Sequence, residues 1–187
     1  MNSNQFNKIL VVKHGSLGDI AFSILAMASI KQFFNNATID LLTEEKYINF
    51  LSNSNYFNSI FKDNRKGIID SLKVILKINQ NKYDLIIDLQ NSKRTNNYWS
   101  FLKFISEVKV NGSRSNCDIQ YVIPPQGTES PQQGLYNQLK LLGVNEIYQN
   151  VDWLSRDITA INEDKIILMI PGCLLYTSPS PRDQLGS

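Results

Sequence analysis

The run Lys13-His14-Gly15-Ser16-Leu17-Gly18-Asp19 brings an ammonium, an imidazole, a hydroxyl and a carboxylate together, spaced by two glycines. A carboxylate in such a turn can take a proton from a hydroxyl, and a neighbouring lysine can attract an anionic substrate. Asp19 opens an apolar helical run, and a helix start favours the ionised form that a general base needs near neutral pH. Ser16-x-x-Asp19 is also the spacing of a capping box, in which the two side chains only satisfy helix-end donors, and spacing does not separate the two roles. Lys13 likewise reads either as an anion-attracting cation or as a solvated strand end. His14, the single histidine of the chain, has no partner carboxylate at a recognisable spacing and reads as a loop residue. Gly15 and Gly18 let backbone approach a ligand, and the free N–H groups of a helix start favour an anion. The turn is neither G-x-G-x-x-G nor a phosphate-binding P-loop, so a standard nucleotide-phosphate cradle is not expected here.

A second polar cluster, Asp88-Leu89-Gln90-Asn91-Ser92-Lys93-Arg94, follows an apolar run. Arg94 is suited to bidentate pairing with a carboxylate or phosphate, or is an exposed residue in the first turn of a helix. There is no Cys/His ligand set and no Asp-x-Asp motif, so neither a metal nor another cofactor is expected.

The elements that must position these residues are legible in the apolar pattern. Lys8–Lys13 (KILVVK) has the continuous β-branched character of a strand buried on both faces. A helix follows from Asp19, with Ile20, Ile24, Met27 and Ile30 at helical spacing. Strands are expected over Thr38–Thr43, Ser59–Lys62, Tyr83–Gln90 and Glu107–Val110, with helices over Glu44–Leu51, Lys66–Ile78 and Trp99–Ile105 between them. The stretch Gly112–Gly134 reads as loop, broken by Pro124, Pro125 and Pro131, before a helix over Gln133–Leu142 that stops at Gly143. Strand alternating with helix implies an α/β fold, a doubly wound, Rossmann-like parallel sheet with right-handed crossovers. In such sheets ligands bind beyond the carboxyl ends of the strands, where both polar clusters fall.

The 187 residues are 42% hydrophobic and 19% charged, the balance of a globular domain. A net charge of +2 offers no basic stripe for nucleic acid. The longest apolar stretch, Ile20–Ile30, is shorter than the roughly 20 residues of a spanning helix. No secretory leader is visible at the start, so a cytoplasmic location is expected, with at most peripheral contact with the inner membrane. Asp164–Pro171 (DKIILMIP) reads as a further buried strand. From Cys173 the composition turns to Ser and Pro, and CLLYTSPSPRD resembles a translated sequencing adapter, so residues 173–187 are expected to be an artefactual tail. That leaves Cys117 as the one thiol of the body, which fits a reducing compartment.

ILVVKHGSLGDIAFSILAMASIKQFFNNATIDLLT resembles the opening of the heptosyltransferase-type glycosyltransferases, glycosyltransferase family 9, with its S-[LM]-G-D turn. YDLIIDLQNSKRT, YNQLKLLGV and IILMIPG are similar to later family segments, in the right order. The resemblance implies a GT-B architecture: an N-terminal acceptor-binding domain over 1–160 and a donor-binding domain opening at 161–172, its remainder missing. It implies Asp19 as the catalytic base, Lys13, Ser16 and Gly18 in the surrounding substrate-binding loop, and Arg94 as a second basic position. Asn91 replaces the family's usual glycine before Arg94. The activity implied is metal-independent, inverting transfer of heptose from ADP-heptose to the inner core of lipopolysaccharide. The donor would be held by the missing domain, so the chain alone is expected to be inactive. The alternatives are a non-catalytic α/β ligand-binding domain and a GT-B transferase using another nucleotide sugar.

Overall fold

The computed structural model describes residues 2–149 and 151–155. Six strands form one parallel sheet: β1 (Lys8–Val12), β2 (Thr38–Thr43), β3 (Ser59–Lys62), β4 (Leu85–Asp88), β5 (Lys109–Gly112) and β6 (Ile119–Gln120). Their spatial order is β3-β2-β1-β4-β5-β6. Five helices connect or follow them: α1 (Leu17–Phe33), α2 (Glu45–Ser52), α3 (Gly67–Asn81), α4 (Lys93–Leu102) and α5 (Pro131–Lys140). This is the expected doubly wound, Rossmann-like α/β fold. The order reverses between β1 and β4, which puts the topological switch point between the turns after Val12 and Asp88.

Strand alternation divides the core into two layers. Ile9, Val11, Ile39, Leu41, Leu85 and Ile87 face the layer that α1 and α5 cover. Leu10, Val12, Leu42, Ile86 and Val110 face the layer of α3 and α4. Each such side chain taken fully out of water contributes about 1.5–3 kcal/mol, so the central strands are firmly held and the turns at their ends inherit that rigidity. Helix α1 buries small residues, Ser23, Ala26, Ala28 and Ser29, among Ile20, Met27 and Ile30. The two serine hydroxyls are satisfied by the carbonyls of Ile20 and Leu25.

The structure departs from the sequence reading at several element bounds, among them α1, which starts at Leu17 rather than Asp19, and β4, which spans Leu85–Asp88 rather than Tyr83–Gln90. Helix α4 begins at Lys93, six residues before Trp99, because Ser92 and Thr95 form a reciprocal cap that starts it. Strand β5 lies two residues later than Glu107–Val110. The stretch from Gly112 to Gly134 contains β6, which pairs with Asn111 and Gly112. Pro131 opens α5, behind a Ser130 cap, where the absent proline N–H costs nothing. The strand expected over Asp164–Pro171, the domain start at 161–172 and the tail at 173–187 lie outside the described residues.

Candidate functional site

Because all six strands are parallel, their carboxyl ends form one edge, and both polar clusters meet there. Ser16 caps α1: its hydroxyl accepts from the Asp19 N–H (3.3 Å), while Asp19 Oδ2 accepts from the Ser16 N–H (2.7 Å) and hydroxyl (2.8 Å). The capping box is therefore formed. Those bonds, the Ser16 N–H first and the hydroxyl next, hold the Asp19 carboxyl below the usual carboxylate range, and Lys13 adds to them. Asp19 is nevertheless exposed, and its Oδ1 makes no hydrogen bond among the described residues. Capping and openness to a ligand coexist because each uses a different oxygen.

Gly15 adopts φ +118°, and the turn is clamped there on both sides. Its N–H donates to Glu44 Oε1 (3.1 Å) and its carbonyl accepts from the Tyr47 hydroxyl (3.0 Å). Gly18 lies in the first turn of α1 with room for a side chain.

Lys13 is buried rather than a solvated strand end, and its Nζ donates to the Leu89 carbonyl (3.1 Å) across the switch point. Burial pushes its ammonium below the usual lysine value, against the pull of Asp19 and Asp88. Asp88 is fully buried at the end of β4, and burial pushes its carboxyl up. It accepts from Trp99 Nε1 (2.8 Å) and from the N–H groups of Gln90 and Asn91 (2.9 Å each). These bonds fold the β4–α4 turn, in which Asn91 sits at φ +51°. The site tolerates it because asparagine enters the left-handed region more readily than most residues. Its side chain then ties the turn to Ser113 and Gln138.

On the other side of the turn, His14 and Arg94 converge on Asp63, which sequence reasoning passed over. Asp63 follows β3 and is buried. Arg94 Nη2 stands 3.8 Å from Asp63 Oδ1, and the Tyr98 hydroxyl donates to Oδ2 (3.0 Å). Arg94 Nε donates to that hydroxyl (2.5 Å) and Nη1 to the Arg65 carbonyl (3.2 Å). Arg94 is in the first helical turn, but it is turned inward and only partly exposed. His14 is buried with Nε2 3.6 Å from Asp63 Oδ2, so a carboxylate 49 positions away by residue number lies beside the loop residue, although Nε2 makes no hydrogen bond at that distance. Burial lowers its pKa to about 4, with Asp63 opposing and Arg65 adding to the shift, and it is neutral at pH 7. Arg65 Nη1 bonds Glu44 Oε1 (2.9 Å). Burial alone would raise Glu44, but Lys46, the Gly15 N–H and Arg65 together hold it below the usual range. An open cavity of about 510 Å³ lies over this group, lined by Glu44, Lys46, Asp63, Arg65, Lys66 and Arg94. The available signal for Asp63 was its place immediately after a parallel strand. Among the described residues no three His, Cys, Asp or Glu side chains are grouped to hold a metal.

The fold is similar to that of solved glycosyltransferases. The chain superposes on the crystal structure of the glycosyl transferase family 9 protein from Veillonella parvula with a TM-score of 0.63 at 19% identity, over 77% of this chain and 43% of that one. With E. coli heptosyltransferase WaaC bound to ADP-2-deoxy-2-fluoro heptose the TM-score is 0.56 at 14% identity, over 79% and 52%. In sequence the chain is similar to lipopolysaccharide heptosyltransferase 1 of Campylobacter coli, 32% identical over 87 residues, 44% of this chain and 25% of that protein. The heptosyltransferase-type resemblance carried by the motifs is thus borne out in both sequence and fold. No family model matches the chain. The match spans a quarter of the curated relative and about half of each of these solved chains.

Proposed function

We propose that this chain is the acceptor-side domain of a glycosyltransferase that moves heptose from ADP-heptose to an inner-core lipopolysaccharide acceptor, with inversion and without a metal. The observation that carries the reading is Asp19: an exposed, ionised carboxylate at the switch-point edge, anchored through Oδ2 with Oδ1 open. In the proposed reaction Oδ1 takes the proton of an acceptor hydroxyl as that oxygen bonds to the anomeric carbon. The bond from that carbon to the diphosphate breaks, and its electron pair leaves with ADP. Lys13 sits within the field of Asp19 and Asp88 and keeps the pair of carboxylates from repelling an anionic substrate. Ser16 holds the base in place. Arg94 and Arg65 border the cavity and supply the cationic surroundings for the acceptor. The printed names of the relatives support heptose as the sugar and ADP as the nucleotide. The donor is proposed to be held outside the described residues, by a further domain expected to open at 161–172.

The test is heptose transfer from ADP-heptose by the full-length protein. Asp19→Asn keeps size and much of the capping ability while removing the proton acceptor, so turnover is expected to fall by roughly 10²- to 10⁴-fold with little change in stability. Near wild-type turnover in that variant would rule out Asp19 as the base and leave the Ser16–Asp19 pair a structural cap. Transfer from a different nucleotide sugar, with none from ADP-heptose, would keep the base and change the donor.

A further inference from the structure

Helix α3 carries more apolar surface than the sheet can cover. Its buried stripe is Val74, Ile75 and Ile78, facing the layer it shares with α4. A second stripe, Ile68, Leu72 and Leu76 at four-residue spacing, runs along the outside with Ile69 beside it, and the four are 79%, 40%, 53% and 69% exposed. A solvated helix has no use for such a stripe, and contiguous exposed apolar side chains mark a surface that meets something. What it meets is indicated by charge. Lys62, Arg65, Lys66, Lys73 and Lys77 fall on or just before this helix and are all exposed. The acidic residues in the same stretch are Asp63, buried against Arg94 and His14, and Asp70, which is half-buried. Lys62 and Arg65 are paired with Glu45 and Glu44, which leaves Lys66, Lys73 and Lys77 as the exposed cations of this segment with no carboxylate partner among the described residues. An apolar stripe bordered by lysines is the pattern of a helix that lies in a bilayer interface, its aliphatic side chains among the acyl chains and its cations at anionic headgroups. No helix among the described residues is long and apolar enough to cross a membrane, so contact through this face would be lateral.

We infer that the outer face of α3 docks the protein onto an anionic lipid surface, with Ile68, Ile69, Leu72 and Leu76 entering the interface and Lys66 and Lys73 at the headgroups. The amino end of α3 adjoins Arg65 and Lys66, which line the cavity over Asp63, so docking there would bring the site's edge close to the lipid. The inference stands on this surface alone, because vesicle binding is read without turnover.

The experiment is co-sedimentation of the full chain with vesicles of phosphatidylethanolamine containing phosphatidylglycerol, against vesicles of phosphatidylcholine alone. Wild type is expected to partition onto the anionic vesicles and to be released by salt. Ile68→Ser/Leu72→Ser and Lys66→Glu/Lys73→Glu are each expected to weaken partitioning by at least about tenfold, since each removes one of the two contributions to interfacial binding. Both pairs are exposed, and unchanged circular-dichroism melts confirm folding. Phe104→Ser, on an equally exposed ring beyond the far end of α4, is expected to bind as wild type. Absence of binding, equal binding to both vesicle types, or unchanged binding by both double variants would overturn the inference. So would a dimer in sedimentation equilibrium that Ile68→Ser/Leu72→Ser dissolves, which would assign the face to a second copy.

Discussion

The Asp19 carboxylate occupies the space that a side chain at residue 15 would need: a Cβ on Gly15 would stand 2.5 Å from Asp19 Oδ2 and 2.9 Å from its Cγ. The left-handed φ of Gly15 adds backbone strain to that collision. Gly15→Ala is therefore expected to cost about 1–3 kcal/mol and to displace the carboxylate, which lowers turnover if Asp19 is the base. Gly18 is different: a Cβ there meets only Ser16 Oγ at 3.6 Å, and the residue is helical. Gly18→Ala is expected to leave stability unchanged or raise it by about 0.5–1 kcal/mol. Thermal melts of the two variants check the ranking, and equal losses would remove the special role of Gly15.

Asp63 faces three side chains, Arg94 and Tyr98 of α4 and, at longer range, His14 of the turn after β1. Asp63→Asn leaves the Arg94 guanidinium facing a neutral amide, and the loss is expected to be on the order of 2–3 kcal/mol. Arg94→Gln alone should cost at least as much, because it leaves the fully buried Asp63 carboxylate without its guanidinium, whereas Arg94 is itself partly solvated. In a double-mutant cycle by urea unfolding the two losses are expected to be non-additive by at least about 0.5 kcal/mol. Additivity would show that the approach of 3.8 Å carries no coupling.

His14 makes stability depend on pH. Its pKa is about 4 in the folded protein and about 6.5 in the unfolded chain. Between those values the unfolded chain binds the proton more readily, so stability falls as pH drops through that window, by up to about 3 kcal/mol. Below about pH 4 both states are protonated and the loss stops growing. His14→Gln is expected to flatten this part of the stability profile, read by urea unfolding near pH 7 and near pH 4. A variant with the wild-type slope would place the titration elsewhere.

The sequence carried the sheet and the first turn because both are written in local patterns. KILVVK and YDLIID announce central strands through unbroken apolar runs, and Ser16-x-x-Asp19 announces a helix start. Helix α4 was half hidden because KRTNN has no apolar period, and only the Ser92–Thr95 cap signals its start. Strand β6 is two residues long and exists through its pairing with β5, supported by Asp118 Oδ2 accepting from the Val110 N–H. Asp63 was invisible for a different reason. It sits in DNRKG, a polar loop with no motif, and its meaning comes from Arg94 and His14, which the crossovers bring to the same edge. Local patterns specify elements, while a charge network between two loops and a helix start is specified only by the topology that assembles them.

Ser16→Ala separates the two roles of the capping pair. The substitution removes the hydroxyl that accepts from the Asp19 N–H and donates to Oδ2, and it leaves the Ser16 backbone donor in place. As a cap loss it should cost about 0.5–2 kcal/mol of stability whatever Asp19 does. Its second effect depends on the chemistry. The hydroxyl is one of the groups holding the Asp19 carboxyl low, so its removal raises that pKa toward the usual carboxylate value near 3.9. If Asp19 is the base, activity of the wild type should persist as pH falls until Asp19 is protonated, below the usual carboxylate range, and in Ser16→Ala that acid limb should move to higher pH. If Asp19 is only a cap, the melt shifts and the limb stays where it was. The pH dependence of kcat/KM for heptose transfer, measured where both proteins remain folded, reads this difference directly, and an unmoved limb would count against Asp19 as the proton acceptor.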